Sequence, residues 1–145
     1  MKIKIWGCRG SLTSPGAETI RYGGESTCLE LRTDDGQVII IDAGSGIRKL
    51  GNQLLQEKIK NVILLITHAH WDHLAGFPFF KPAYSSDFTI TLCGGLTAQN
   101  SILNYLKHQM EPPYFPVDFN VMKARFNMGC CCDHKNCSNR LTGTP

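Results

Sequence analysis

The sequence predicts an α/β (α+β) domain: one mixed β-sheet with helices packed on one side of it. Three observations carry this. Hairpin-linked strands come first, strands alternating with helices follow, and the chain is 145 residues long. Hairpins make antiparallel pairs and crossover helices make parallel ones, so the order ββ(β)–α–β–loop–β–α calls for a sheet of both kinds. At roughly 100–200 residues per domain, the length gives one domain. A chain of this size buries about two-thirds of its unfolded surface, enough for its own core.

Lys2, Ile3, Lys4, Ile5 and Trp6 alternate polar and apolar, as a strand does. A loop rich in Gly, Ser, Thr and Pro runs from Gly7 to about Glu25. It exceeds ordinary connection lengths, and such loops are commonly functional. Residues 27–33 alternate again, and Asp34-Asp35-Gly36 is a hairpin turn. Val38-Ile39-Ile40-Ile41 is a continuous β-branched run, suited to a strand buried on both faces. Ile47, Leu50, Leu54 and Leu55 stand at helical spacing within 47–58, weakened by Gly51. Residues 61–67 are the second fully apolar strand and run straight into His68. Residues 88–93 are a further strand, closed by Gly94-Gly95. Thr97 is the expected N-cap of a helix to about Met110, with Ile102, Leu103 and Leu106 on one face and Pro112-Pro113 as its stop. From about Asn127 all periodicity is lost. The domain is therefore expected over residues 1–126, with a Cys-rich, disordered tail over 127–145.

Composition narrows the function. With 42% hydrophobic and 19% charged residues the chain is globular rather than disordered. A net charge of +3, with the basic residues scattered, does not indicate nucleic acid. No apolar run approaches the roughly 18 residues of a membrane span. Residues 1–8 are no signal peptide, because Lys4 breaks the apolar run and Gly7 ends it. A soluble, cytoplasmic protein is expected. The seven cysteines fall in two groups. Cys8, Cys28 and Cys93 are expected to be reduced and buried as small hydrophobes. Cys130, Cys131, Cys132 and Cys137 crowd the tail.

The chemistry concentrates in His68-Ala69-His70-Trp71-Asp72-His73, directly after a buried strand. Imidazole and carboxylate are the ligands that zinc, iron or manganese take when no thiolate is used. Alternation along an extended chain puts His68 and His70 on one face, where two nitrogens can grip one metal. A bend then lets Asp72 and His73 reach a second. Two metals about 3.5–4 Å apart clamp a substrate and share an activated water.

His-x-His-x-Asp-His after an apolar strand resembles the signature of the metallo-β-lactamase fold hydrolases. Gly7–Ser11, Ser14–Gly16, Arg21–Gly24, Ile41–Gly46, Trp71–Tyr84 and Pro112–Pro116 extend the likeness over about residues 1–126. They are similar to a bacterial branch containing ribonuclease Z, the phosphonate-pathway phosphodiesterase and class II cyclic-nucleotide phosphodiesterases. The resemblance implies the first half of an αββα sandwich. It implies two zinc ions, with manganese or iron as alternatives. His68 and His70 match ligands of the first metal, and Asp72 (also taken as the catalytic residue) and His73 those of the second. Asp42 matches an aspartate that supports the metal loop from behind, and an Asp ending a strand before Gly44 also caps a turn. Glu25 stands where the branch usually has Asn and is given no role. The family's later half supplies a third His, a bridging Asp and a final His. Only His108, expected on an exposed helix surface, and His134, in the tail, follow His73 here.

The expected function is a metal-dependent hydrolase acting on a small-molecule or nucleotide phosphodiester. The alternative is a half-domain, from truncation or frameshift or as a protomer completed by pairing, that binds metal weakly or needs a partner chain such as a second copy. An uncovered sheet face would then be a large apolar patch. A third possibility builds a metal or redox module on Cys130–Cys137, but paired Cys-x-x-Cys spacing is missing. Trp71, Phe77, Phe79, Phe80 and Tyr84, with Tyr114 and Phe115, are expected mainly in packing, with stacking on a substrate base as the functional option. Arg9, Arg21 and Arg48 are expected as surface charges that could also meet a phosphate. Ser45 is no nucleophile elbow, because Ala43 stands where that motif needs Gly.

Overall fold

A computed structural model of the chain describes residues 1–94 and 101–129. Among these, six strands form one sheet in sequence order: β1 (Lys2–Gly7), β2 (Cys28–Arg32), β3 (Val38–Ile41), β4 (Asn61–Ile66), β5 (Thr89–Gly94) and β6 (Arg125–Met128). β1, β2 and β3 pair antiparallel, and β3 to β6 run parallel. The β2–β3 hairpin closes where expected, with Gly36 in the left-handed region at φ 86°. Helix α1 (Ile47–Gln56) makes the crossover that parallel β3 and β4 require, and α2 (Ile102–His108) follows β5. The mixed sheet with helices is the architecture that the sequence predicts. The expected cap at Thr97 lies outside the described residues, as do the tail residues from 130 onward. β6 itself continues through residues 127 and 128, across the expected end of the domain.

One face of the sheet is the core. Val38, Ile40, Val62, Leu64, Ile66, Ile90 and Leu92 are buried in one cluster with Ile47, Leu50 and Leu54 of α1, Ile102 and Leu106 of α2, and Phe77, Phe80 and Phe88. Each such side chain taken from water contributes roughly 1.5–3 kcal/mol. Leu55, expected on the inner face of α1, turns outward and is exposed. Gly51 weakens the helix but lets a neighbouring turn settle on it: a Cβ there would meet Phe80 and Pro82 at 2.9 Å.

The other face departs from expectation. β3 and β4 are not buried on both sides; Ile39, Ile41, Ile63 and Leu65 are only half-buried. Strand register sets these residues in two rows, Ile3–Leu31–Ile39–Ile63–Thr91 and Ile5–Leu29–Ile41–Leu65–Cys93. On β1 and β2 the polar side chains take the helix side instead. Lys4 Nζ donates to Gln53 Oε1 of α1 (2.9 Å), and Arg32 Nη2 pairs with Glu57 Oε2 (2.6 Å). Glu30 is buried but satisfied, accepting from Trp6 Nε1 at 2.8 Å and Arg32 Nε at 2.5 Å.

Of the body cysteines, Cys28 and Cys93 are buried as expected, and Cys8 is not. Cys8 follows β1 into the long loop, where its thiol lies 3.7 Å from the Tyr22 carbonyl oxygen. Burial, aided by the Asp42 and Glu30 carboxylates, pushes the Cys28 thiol well above its ordinary pKa, so it packs as a neutral atom. Sequence missed β6, because Arg125-Phe126-Asn127-Met128 has one half-buried residue among exposed ones.

The segments after β3 and after the metal motif touch backbone to backbone. A Cβ on Gly76 would lie 2.1 Å from the Gly44 carbonyl oxygen, and one on Gly44 would lie 2.3 Å from that of Asp72. Gly76→Ala is therefore expected to cost about 2–3 kcal/mol in urea unfolding. Gly10→Ala, where a Cβ meets nothing within 4 Å, is expected to stay within about 0.5 kcal/mol.

Candidate metal centre

β3 and β4 are parallel, so their C-terminal ends lie side by side, and the two segments that leave them build the site. β3 leads directly into Asp42, a buried residue at φ 62°. Asp tolerates this left-handed conformation better than most residues. Its N–H donates to the Leu65 carbonyl (2.8 Å) of β4. Its Oδ1 accepts from the Thr67 N–H at 2.8 Å and the Thr67 hydroxyl at 3.0 Å. Its Oδ2 lies 2.8 Å from His73 Nδ1.

The metal motif is extended at first and then tightly turned. His70 has φ −68° and ψ 149°, and Trp71–His73 form a 3-10 turn. The turn is fixed by His73 N–H to the His70 carbonyl (3.0 Å) and by Ala43 N–H to the His73 carbonyl (2.7 Å). The four expected ligands come together in two pairs. His68 Nε2 lies 3.0 Å from His70 Nδ1, and His73 Nε2 lies 3.4 Å from Asp72 Oδ2. The pairs adjoin, with the His68 and His73 rings 4.0 Å apart.

This donor set fits a metal. With bonds of about 2.0–2.1 Å, two ligands on a tetrahedral ion stand about 3.3 Å apart, close to both separations. Among the described residues, though, no group of three or more His, Cys, Asp or Glu is placed to hold one ion. Each pair has the spacing of one edge of a coordination shell. Asp42 takes no place in either pair; its hydrogen bond to Nδ1 leaves His73 Nε2 to face Asp72. A carboxylate behind an imidazole fixes the ring's tautomer and orientation.

Two supports went unseen in the sequence. The Ser11 backbone N–H, in the long loop at φ 65°, donates to Asp72 Oδ2 at 2.9 Å. This bond is the main reason that the Asp72 carboxyl lies below its ordinary pKa and stays anionic. A backbone donor leaves no trace in residue identity; only the length of the loop was a signal. Glu25, to which no role was given, accepts from Ser45 Oγ (2.6 Å) and pairs with Lys49 Nζ (3.1 Å), while Ser26 and Ser45 exchange backbone-to-hydroxyl bonds. Ser45 is thus a structural hydroxyl.

The secondary candidates divide. Phe77 and Phe80 are core, and Tyr84 is half-buried, donating to the Pro78 carbonyl at 2.6 Å. Trp71 and Tyr114 are exposed, and Phe79 stacks edge-on against Phe115. Arg9 Nε donates to the Leu12 carbonyl (3.0 Å), Arg21 lies over the Tyr22 ring, and Arg48 stands 3.8 Å from Glu25. His108 is exposed and bonds Glu111 (2.7 Å); His134 lies outside the described residues.

Asp42→Ala leaves the Thr67 N–H and His73 Nδ1 without their acceptor and is expected to cost about 2–4 kcal/mol, read by urea unfolding. Asp42→Asn, which keeps one oxygen, is expected to cost less while freeing the His73 tautomer, read from imidazole 15N shifts. Burial alone would raise the Glu25 carboxyl. The Ser45 and Lys49 hydrogen bonds and the Lys49 and Arg48 charges outweigh it and hold it below its ordinary 4.5. The stability this confers is present above that value and is lost as pH falls through the lower, folded-state pKa. Glu25→Gln is expected to lower stability at neutral pH by at most about 1 kcal/mol. Unfolding curves taken at successively lower pH below 4.5 should show the gap shrinking.

Comparison with known families matches residues 21–85 to the metallo-beta-lactamase superfamily, a span from the end of the long loop through β4 and the whole metal motif. That superfamily generally binds metal, commonly zinc, and its members are characteristically metal-dependent hydrolases. No curated protein matches the chain. Among the described residues no helix is long and apolar enough to cross a membrane. The mixed sheet with its helices is consistent with part of the metallo-beta-lactamase fold, and residues 21–85 are the segment that carries the likeness.

Proposed function

We infer that the chain provides one half of a dinuclear metal centre for hydrolysis of phosphodiester bonds. The observation that carries this is the paired arrangement of donors, His68 with His70 and His73 with Asp72, with His73 held from behind by buried Asp42. His68 and His70 would hold one ion, and Asp72 and His73 the other. Bound there, two ions would supply an activated water and neutralise charge on a phosphoryl oxygen. Asp42 keeps the proton of His73 on Nδ1 and the lone pair on Nε2. Ser11 N–H keeps Asp72 ionised and aimed. Trp71, next to both pairs in sequence and exposed, offers a flat apolar surface to a substrate ring.

The absence, among the described residues, of any three-ligand cluster favours a second reading. In it the half-site binds metal weakly and acts only when further ligands complete it.

Metal content per chain, measured by plasma mass spectrometry on chelator-free, untagged protein, separates the two. The first reading expects about one to two ions, lost in a His70→Ala, Asp72→Ala variant, with hydrolysis of bis(p-nitrophenyl) phosphate to match. Metal near zero in both proteins refutes it. Imidazole must be neutral to bind, so any metal retained is expected to be released as pH falls below about 6. Occupancy unchanged down to about pH 5 counts against imidazole ligation.

A further inference from the structure

A single hydroxyl stands between the buried carboxylate and the first pair of donors. Thr67 lies between the end of β4 and His68. Its Oγ1 is 3.0 Å from Asp42 Oδ1, 3.0 Å from Asp42 Oδ2, 3.0 Å from His68 Nδ1 and 3.4 Å from His73 Nδ1. A hydroxyl has one hydrogen and two lone pairs, so it donates once and accepts elsewhere. Asp42 is 2% exposed, and a carboxylate can only accept, so its neighbours must be the donors. A hydroxyl bonded to a carboxylate is roughly twice as strong as one bonded to a neutral nitrogen. The Thr67 hydrogen therefore goes to Asp42. His73 Nδ1 is nearer to Asp42 Oδ2, at 2.8 Å, than to Thr67, so its own hydrogen goes to the carboxylate too. That leaves an Oγ1 lone pair facing His68 Nδ1.

We propose that Thr67 is a positioning residue that fixes the tautomer of His68. Its hydroxyl, held by Asp42, accepts from His68 Nδ1–H and leaves the lone pair of that ring on Nε2. Nε2 is the atom that stands 3.0 Å from His70 Nδ1 in the first donor pair. Which imidazole nitrogen carries the proton is set by the hydrogen bond that the other makes. Without the hydroxyl, Nδ1 loses its acceptor and the proton is free to move to Nε2, where it blocks that donor. Asp42 thus orders one imidazole in each pair, His73 directly and His68 through one hydroxyl. Thr suits the position. Its branched side chain is stiff at χ1, and its own N–H donates to Asp42 Oδ1 at 2.8 Å. The inference rests on the hydrolase reading only in treating Nε2 as a metal donor; the tautomer belongs to the chain itself.

Long-range 15N–1H spectra of the full chain in chelator, at about pH 8 where imidazole is neutral, read the tautomer of each ring. Wild-type His68 is expected in the Nδ1–H form. Thr67→Val keeps the side-chain shape and removes the hydroxyl. In it His68 is expected to shift toward the Nε2–H form, while His73 stays Nδ1–H on Asp42. Thr67→Ser, which keeps a hydroxyl, is expected to return His68 to the wild-type form. A merely structural role would move both rings or neither. Zinc affinity, read by competition with a chelating dye, is expected to fall about 10–100-fold in Thr67→Val and to recover in Thr67→Ser. Wild-type His68 in the Nε2–H form overturns the proposal. So does a Thr67→Val variant, folded by circular dichroism, whose His68 spectrum is unchanged. If Thr67→Val does not fold, Thr67→Ala takes its place, and the wild-type spectrum still decides between the two tautomers. A wild-type chain that takes up no zinc refutes the hydrolase reading, and the spectra in chelator then judge this proposal separately.

Discussion

A carboxylate taken out of water must be fully hydrogen-bonded, and Asp42 sets this requirement at the centre of the fold. Its partners come from the end of β4 and from the 3-10 turn that follows. Satisfying one buried anion therefore fixes where the chain goes after the strand. Thr67 must sit beside β3, the motif must double back within six residues, and His73 must present Nδ1 inward. The rest of the neighbourhood agrees with that path. Ala43 N–H donates to the His73 carbonyl, the Ala43 carbonyl accepts from the Gly76 N–H, and Gly44 carries no side chain to obstruct the path.

The location follows from strand direction. Parallel β3 and β4 deliver their last residues to the same edge, where carbonyl ends and loops meet. In open α/β sheets ligands collect there, because each loop can add a side chain to a common space. The long loop after β1 arrives from an antiparallel strand and meets Asp72 through the backbone N–H of Ser11.

Much of this was legible in the sequence, for identifiable reasons. β3 and β4 were plain because runs of Ile, Val and Leu tolerate few other structures, and their order around α1 fixed the parallel pair. The four donors were legible because three imidazoles within six residues are hard to explain as packing. The same apolar runs were misread as doubly buried, since hydrophobicity records that a surface seeks cover and not which layer provides it. β6 escaped because an edge strand with exposed side chains lacks the contrast that periodicity needs. Cys8 was misplaced because composition predicts cysteine burial on average, while the loop after β1 decides it locally. Glu25 and Ser45 were separately visible; their pairing, twenty residues apart, belongs to the tertiary structure.

The two margins of the sheet carry basic residues, Lys2 and Lys4 on β1 and Arg125 on β6. A strand added edgewise to β1 by another molecule would bring its own lysines against these, with exposed backbone as the only reward. Growth in the plane of the sheet is thereby discouraged, and the chain is steered away from the open-ended strand addition that leads to fibrils.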